Sequence, residues 1–387
     1  MMRTPDAAGL RRIRFARPLL PPLDRVVAIY QEAYAAGRLT DGALVARFEA
    51  AAAERLQVRH AIAVSSGTAG LMLVLRALDL SGEVILPSFT FFATGHAVLW
   101  NGLTPVLADC DARTWNISPR DVEAKLTERT CAILGVHVYG NPADIEGLTR
   151  IAVKHELKLI FDAAHALGAH YRHAPIGRFG DAEVFSLSPT KLLVAGEGGL
   201  ITTDSGTLAK RLRAARNHGN EGDYDPRVLG LNARMSEFHA ALALAGLEDL
   251  EDRRARQSHV AALYKARLGA MSGITFPDVH PSDRATFSNA SLLLEEQAFG
   301  LGRDRMVAGL RSRDIETRQY FSPPLHKQIL FRHVGGNGSH HLPETDRIAA
   351  GVISMPCHQS LTDEDVDGVA AAFVEVKAAH DPGRRST

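Results

Sequence analysis

The sequence predicts an α/β protein built on a mainly parallel sheet with helices on both of its faces. Two observations carry this. Short apolar runs, many of them β-branched, recur between residues 61 and 202. Helix-compatible stretches separate most of them. Parallel neighbours need crossover connections, and strands buried on both faces read as continuous apolar runs.

In chain order, residues 1–40 read as an arm followed by a helix. The short basic run Arg11-Arg12-Ile13-Arg14 is expected to face water. Gly37-Arg38-Leu39-Thr40-Asp41-Gly42 reads as a turn. The next helix sets Leu44, Val45, Phe48, Ala52 and Leu56 on one side. The strands fall at Ala61–Val64, Val84–Leu86, Pro105–Leu107, Ala132–Val136, Leu159–Phe161, Glu183–Phe185 and Leu200–Thr202, with helices such as Ala69–Leu80 and Ile145–His155 between them. Residues 234–270 read as one long helix, first rich in Ala and Leu, then charged from Glu248 to Arg254. Such a helix could carry the chain from one domain to another. Beyond Met271 the texture is α+β: a strand at Ser288–Leu294, helices at Arg303–Arg313 and Asp363–Ala379, and a flexible loop at Gly335-Gly336-Asn337-Gly338. The expected division is a large α/β domain with its arm over residues 1–250 and a smaller α+β domain over 251–387.

The 387 residues are 45% hydrophobic and 23% charged, which suffices for a sizeable core and argues against disorder. Lys+Arg and Asp+Glu are both 44, so the basic excess expected of a nucleic-acid binder is missing. Cys110, Cys131 and Cys357 are too few and too scattered for a disulfide framework or a zinc signature, which suits a reducing cytoplasm. No apolar run has the length of a signal peptide or a membrane span. No metal site is expected: His333, His340 and His341 flank the glycine-rich loop without a completing carboxylate or thiol.

The chemistry is concentrated at strand ends. Ser65-Ser66-Gly67-Thr68-Ala69 closes the first strand and opens a helix. Small residues and free N–H groups at a helix start favour a phosphate, although Ser-Gly-Thr is also an ordinary helix cap. There is neither G-x-x-x-x-G-K-S/T nor G-x-G-x-x-G, so a nucleotide loop or dinucleotide fingerprint is unsupported. Phe161-Asp162-Ala163-Ala164-His165 ends a buried strand, where α/β sheets bind ligands. A carboxylate there needs a cationic partner, and the protonated ring nitrogen of pyridoxal 5′-phosphate (PLP) is one; a helix-capping Asp is the alternative. Ser186-Leu187-Ser188-Pro189-Thr190-Lys191 follows the next strand. A lysine in that place can link to PLP as a Schiff base, whereas an arbitrary loop lysine would only meet solvent. Phe89-Thr90-Phe91-Phe92 follows the second strand and offers either a stacking ring or plain core.

These pieces, followed by Gly230-Leu231-Asn232-Ala233-Arg234-Met235-Ser236-Glu237, stand in an order that resembles the DegT/DnrJ/StrS family of PLP-dependent nucleotide-sugar aminotransferases. The resemblance covers nearly the whole chain. Further carriers are Phe48-Glu49, Pro87-Ser88-Phe89-Thr90-Phe91, His137-Val138-Tyr139-Gly140-Asn141-Pro142-Ala143-Asp144, Gly196-Glu197-Gly198-Gly199, Tyr320-Phe321-Ser322-Pro323-Pro324-Leu325-His326 and Met355-Pro356. It implies the PLP-dependent transferase fold type I, with a mostly parallel seven-stranded sheet. It implies that Lys191 is the catalytic residue and carries the cofactor. Asp162 would face the ring nitrogen, and His165 the phenolic oxygen. Gly67, Thr68, Ala69 and Ser186 would hold the phosphate, Phe91 would cover the ring, and Asn232 would reach the phosphate of a neighbouring subunit. The implied protein is a cytoplasmic homodimer with shared active sites. It would take an amino group from an amino acid such as glutamate and pass it to a nucleotide-linked keto sugar. Its product would be an amino sugar for a surface polysaccharide or a glycosylated natural product.

Leu187 stands where many members have an aromatic residue or His, and Asn141 where Gln is frequent. Both weaken any transfer of substrate preference. Amination of an aminocyclitol ketone and PLP-dependent sugar dehydration remain alternatives on the same scaffold, as does a regulatory protein without turnover. Relatives that dehydrate sugars carry His in place of Lys191.

Overall fold

The computed structural model describes residues 12–334 and 341–380. All seven sequence-predicted strands form one sheet. Its spatial order is His60–Val64, Gly199–Thr203, Ala182–Ser186, Lys158–Asp162, Thr130–Val136, Glu83–Pro87 and Thr104–Ala108. Gly199–Thr203 runs antiparallel to both its neighbours and every other pairing is parallel. The remaining strands therefore point the same way, and their carboxyl ends share one edge.

Alternation along each strand divides the core. Ala61, Ala63, Ile133, Phe161 and Phe185 face one apolar cluster, which includes the helices Ala43–Leu56 and Glu237–Leu247. Ile62, Val64, Leu134, Ile160 and Val184 face the other, against Gly67–Ala77 and Gly206–Ala215. The predicted face Leu44, Val45, Phe48, Ala52 and Leu56 is the buried one. A third cluster joins the helices Leu250–Leu268, Arg303–Arg311 and Asp363–Ala379 to a three-stranded antiparallel sheet of Ile274–Thr275, Ala290–Leu294 and Val352–Met355.

Two expectations are corrected. The stretch 234–270 is not one helix but two, Glu237–Leu247 and Leu250–Leu268. Asp249 leaves helical geometry at φ −89°, ψ 5°, and Glu251 and Asp252 then occupy the first turn of the new helix. Acidic side chains suit a helix start, so the charged run restarts a helix as well as facing solvent. The basic arm is not simply solvated either. Ile13 is buried and bridges in parallel to Ile315, and Arg12 pairs with Glu316 at 2.6 Å. Arg11, His340 and the loop 335–338 lie outside the described residues.

The motif residues Glu49 and Glu237 prove to be structural. Glu237, fully buried, accepts hydrogen bonds from the N–H groups of Gly42 (2.8 Å), Leu44 (2.8 Å) and Val45 (3.1 Å). It thereby satisfies the open amino end of the Ala43–Leu56 helix from a distant helix. Glu49 accepts from the Ala63 N–H at 2.9 Å and pairs with buried Arg216, which also binds Asp41 at 2.6 Å.

Candidate active site

A cavity of about 320 Å³ opens at the carboxyl edge of the sheet. That is within the ~300–1,000 Å³ usual for small-molecule sites. Gly67, Thr68, Phe91, Asp162, His165, Ser186 and Lys191 all line it. Residues far apart in the chain are thus brought together by strand ends that share one edge.

Asp162 closes its strand and is 6% exposed. Thr94 Oγ1 donates to its Oδ2 at 2.8 Å, and the Ala164 N–H donates to Oδ1 at 3.0 Å. Burial nevertheless pushes its pKa up, against those two bonds and the nearby Lys191 and His137. Behind it, His137 lies nearly parallel to Phe161, with ring centroids 4.8 Å apart. The Ala143 N–H donates to its Nδ1 at 3.0 Å, so Nε2 carries the proton toward Glu183 at 3.3 Å. Glu183 also accepts from the N–H groups of Gly177 and Phe179, each at 2.8 Å. Both oxygens of the Glu183 carboxylate behind the site are therefore engaged.

Lys191 lies in the loop after the Ala182–Ser186 strand, where its own N–H donates to the Ser188 carbonyl at 3.0 Å. The side chain reaches the cavity and makes no ion pair or hydrogen bond among the described residues. Burial draws its pKa from the usual 10.5 down to about 8, while Asp162 pulls the other way. Burial also takes His165 well below 6.5, and Lys191 adds to that shift, so its imidazole is neutral near pH 7. Its ring runs nearly parallel to Phe321 at a centroid distance of 6.5 Å.

At the helix start, a Cβ on Gly67 would lie 3.1 Å from the Ser186 Cβ. That is tighter than most contacts of a real Cβ, so an alanine there would push the strand end away by a few tenths of an ångström. Ser66 caps the helix by accepting from the Ala69 N–H at 3.1 Å. Ala69 is thereby engaged and does not line the cavity. Asn232 is also not brought there; it is exposed, in a bridge with Asn217. Phe91 is 44% exposed at the rim, with its ring 3.9 Å from that of Phe92.

Sequence reasoning gave no role to several lining residues. Thr90 lines the cavity from just before the Phe92–Trp100 helix, and its hydroxyl lies 3.0 Å from that of Thr94, four residues on in the helix's first turn. That i, i+4 spacing was the available signal. The arm residues Phe15–Arg17 and, from later in the chain, Gln257 and Gln359 gave none, because only tertiary structure brings them in, while Tyr320 heads a motif that carried the resemblance without a role of its own. Among the described residues, no group of three or more His, Cys, Asp or Glu is arranged to hold a metal ion.

The arrangement fits PLP in two respects. Asp162 is a buried carboxylate whose ionised form burial disfavours and a cationic ring nitrogen would favour. Gly67 and Ser186 form a cradle of small residues at a helix start, where a phosphate is favoured.

Comparison with known proteins gives the family. The chain is 35% identical over 340 residues to GDP-perosamine synthase of Caulobacter vibrioides, covering 87% of this chain and 90% of that one. It is 32% identical over 364 residues to dTDP-4-amino-4,6-dideoxy-D-glucose transaminase of Shigella dysenteriae, covering 93% and 98%. The crystal structure of DesI in the presence of its TDP-sugar product superposes with a TM-score of 0.90 at 37% identity, covering 97% of this chain and 95% of that one. Residues 24–374 match the DegT/DnrJ/EryC1/StrS aminotransferase family, and the chain belongs to that family.

Proposed function

We propose that this protein is a PLP-dependent aminotransferase that moves an amino group from an amino acid, glutamate in the first instance, to a nucleotide-linked keto sugar. The observation that carries the reading is the convergence of Lys191 and Asp162 on one cavity. The sugar follows from the relatives, whose names specify GDP-, UDP- and dTDP-linked substrates or products.

When bound, PLP supplies an electron sink that stabilises the charge left as the donor's Cα–H bond breaks. Lys191 would hold the cofactor covalently, then act as base and acid at the substrate carbon. A pKa near 8 suits a group that must both take and give a proton. Asp162 would keep the ring nitrogen protonated, with Thr94 and Ala164 fixing its oxygens. Neutral His165 would face the phenolic oxygen. Gly67, Thr68 and Ser186 would bind the phosphate. Ala69 would contribute only through the helix, because its N–H already donates to the capping Ser66 hydroxyl. Phe91 would cover one ring face, with Phe321 closing the cavity near His165.

Asn232, exposed and away from its own cavity, supports a homodimer in which it reaches the partner's phosphate. We take residues 1–250 as the larger unit and 251–387 as the smaller. The helix break at Asp249 and the separate third apolar cluster support this, although Ile13 packs with the smaller unit. A cytoplasmic setting suits Cys110 and Cys357, buried thiols whose pKa burial raises to about 12.

The test is transfer of labelled nitrogen from glutamate to a panel of GDP-, UDP- and dTDP-linked keto sugars, with keto cyclitols alongside. Label in an amino sugar nucleotide supports the reading. Label only in a cyclitol, or a dehydrated sugar without label, replaces it.

A further inference from the structure

Both substrates of the proposed reaction are anions. The donor bears a carboxylate beside its reacting carbon, and the nucleotide sugar bears a diphosphate. An anion drawn into a partly buried site needs a fixed counter-charge. The charged side chains lining the cavity, histidines aside, are Arg17, Asp162, Lys191 and Glu197. Lys191 and Asp162 are committed to the cofactor in the reading above. Glu197 has the wrong sign. Arg17 is thus the one guanidinium among the described lining residues.

Its surroundings are built. The arm before it is pinned at Ile13, Arg14 and Phe15. The Ile13 N–H donates to the Asp314 carbonyl at 2.9 Å, and the Glu316 N–H donates to the Ile13 carbonyl at 2.9 Å. The Phe15 N–H donates to Glu316 Oε2 at 3.2 Å. The Phe15 ring meets Tyr320 edge-on at 5.6 Å and lies under Arg318 at 5.3 Å. His358 Nε2 reaches the Arg14 carbonyl at 3.2 Å. Pro18 follows and biases the Arg17 backbone toward extended conformations. Of the arm's described cations, Arg12 is paired, whereas the side chains of Arg14 and Arg17 make no ion pair or hydrogen bond among the described residues, and only Arg17 lines the cavity. A fixed arm thus holds an exposed, uncommitted guanidinium at the mouth of the cavity, and that fork matches a carboxylate or phosphate in two-point contact.

We propose that Arg17 is a substrate-anion-binding residue of this cavity, gripping the donor carboxylate or the nucleotide diphosphate. The identity of these anions rests on the aminotransferase reading; the site itself rests on the lining and the arm.

The experiment is calorimetric titration of the cofactor-loaded protein and its Arg17→Gln variant with two unreactive probes, succinate and thymidine diphosphate. The variant binds at least one probe roughly tenfold more weakly, the scale of one charge-assisted contact. Loss with succinate alone assigns the donor carboxylate, loss with thymidine diphosphate alone assigns the diphosphate, and loss with both assigns a shared subsite. Arg17→Lys recovers part of the affinity, because it keeps the charge and loses the fork. Added salt weakens binding to the parent more than to Arg17→Gln. Equal affinities of parent and Arg17→Gln for both probes overturn the proposal, as does absence of binding to the parent. If the parent transfers no labelled nitrogen while Arg17→Gln still loses a probe, the aminotransferase reading fails and the anion site stands.

Discussion

Replacing Thr94 by valine removes one hydroxyl at nearly constant size, and the loss falls on Asp162. Thr94 is fully buried, and its hydroxyl is one of two hydrogen-bond donors to that carboxylate. It is also the strongest of the groups that oppose the upward push of burial on the Asp162 pKa. A hydrogen bond to a charged group is worth ~1.5–3 kcal/mol. At ~1.4 kcal/mol per decade, its loss weakens whatever depends on ionised Asp162 by roughly 10- to 150-fold. Thr90 loses its partner too, which adds a stability cost of ~1 kcal/mol. Two readouts separate function from folding. Cofactor affinity, followed by visible absorbance during dialysis, falls by that factor. The acid limb of the kcat/KM profile moves to higher pH, because the carboxylate now needs a higher pH to ionise. Thr94→Ser restores both. A Thr94→Val protein with parental affinity, an unmoved acid limb and turnover within about twofold would refute the reasoning.

Three further outcomes follow from the same structure. Gly67→Ala puts a methyl group 3.1 Å from the Ser186 Cβ and should cut cofactor affinity by roughly tenfold or more, with urea stability of the cofactor-free protein little changed; unchanged affinity contradicts the cradle. Glu237→Ala leaves three helix-start N–H groups without their acceptor and should cost about 3 kcal/mol or more in urea unfolding. A loss under about 1 kcal/mol would show those groups to be satisfied otherwise. Lys191 makes the cofactor-free protein pH-dependent. Its folded pKa, about 8, lies below the usual 10.5, so the unfolded chain holds more protons between those values. Stability should therefore rise with pH across that window by up to ~3 kcal/mol, the penalty being fully present below pH 8. Lys191→Met should remove that rise and be more stable than the parent at pH 7; an identical slope in both proteins contradicts the buried ammonium.

Much of this was legible because strand ends organise the site. Gly67, Asp162, Ser186 and Lys191 each follow a β-branched or aromatic apolar run, and such runs identify buried strands from sequence alone. The face of the Ala43–Leu56 helix was equally plain from its spacing. What stayed hidden depends on contacts between distant segments. Nothing near Glu237 in sequence says that it caps a helix beginning at Ala43. Nothing near Arg12 says that it meets Glu316. The break at Asp249 was missed because alternating charge reads as a solvated helix surface, while the same acidic residues also favour a helix start. Ala69 was assigned to the phosphate by its place in the motif, although the motif's own serine claims its N–H.

The central claim is that Lys191, and no other lysine, holds the cofactor. Borohydride reduction of the cofactor-loaded protein fixes that bond, and peptide mass spectrometry locates it. The account predicts the added mass on the peptide containing Lys191, and its absence from the reduced Lys191→Ala protein. The same mass on another lysine, or retained after Lys191→Ala, would contradict it.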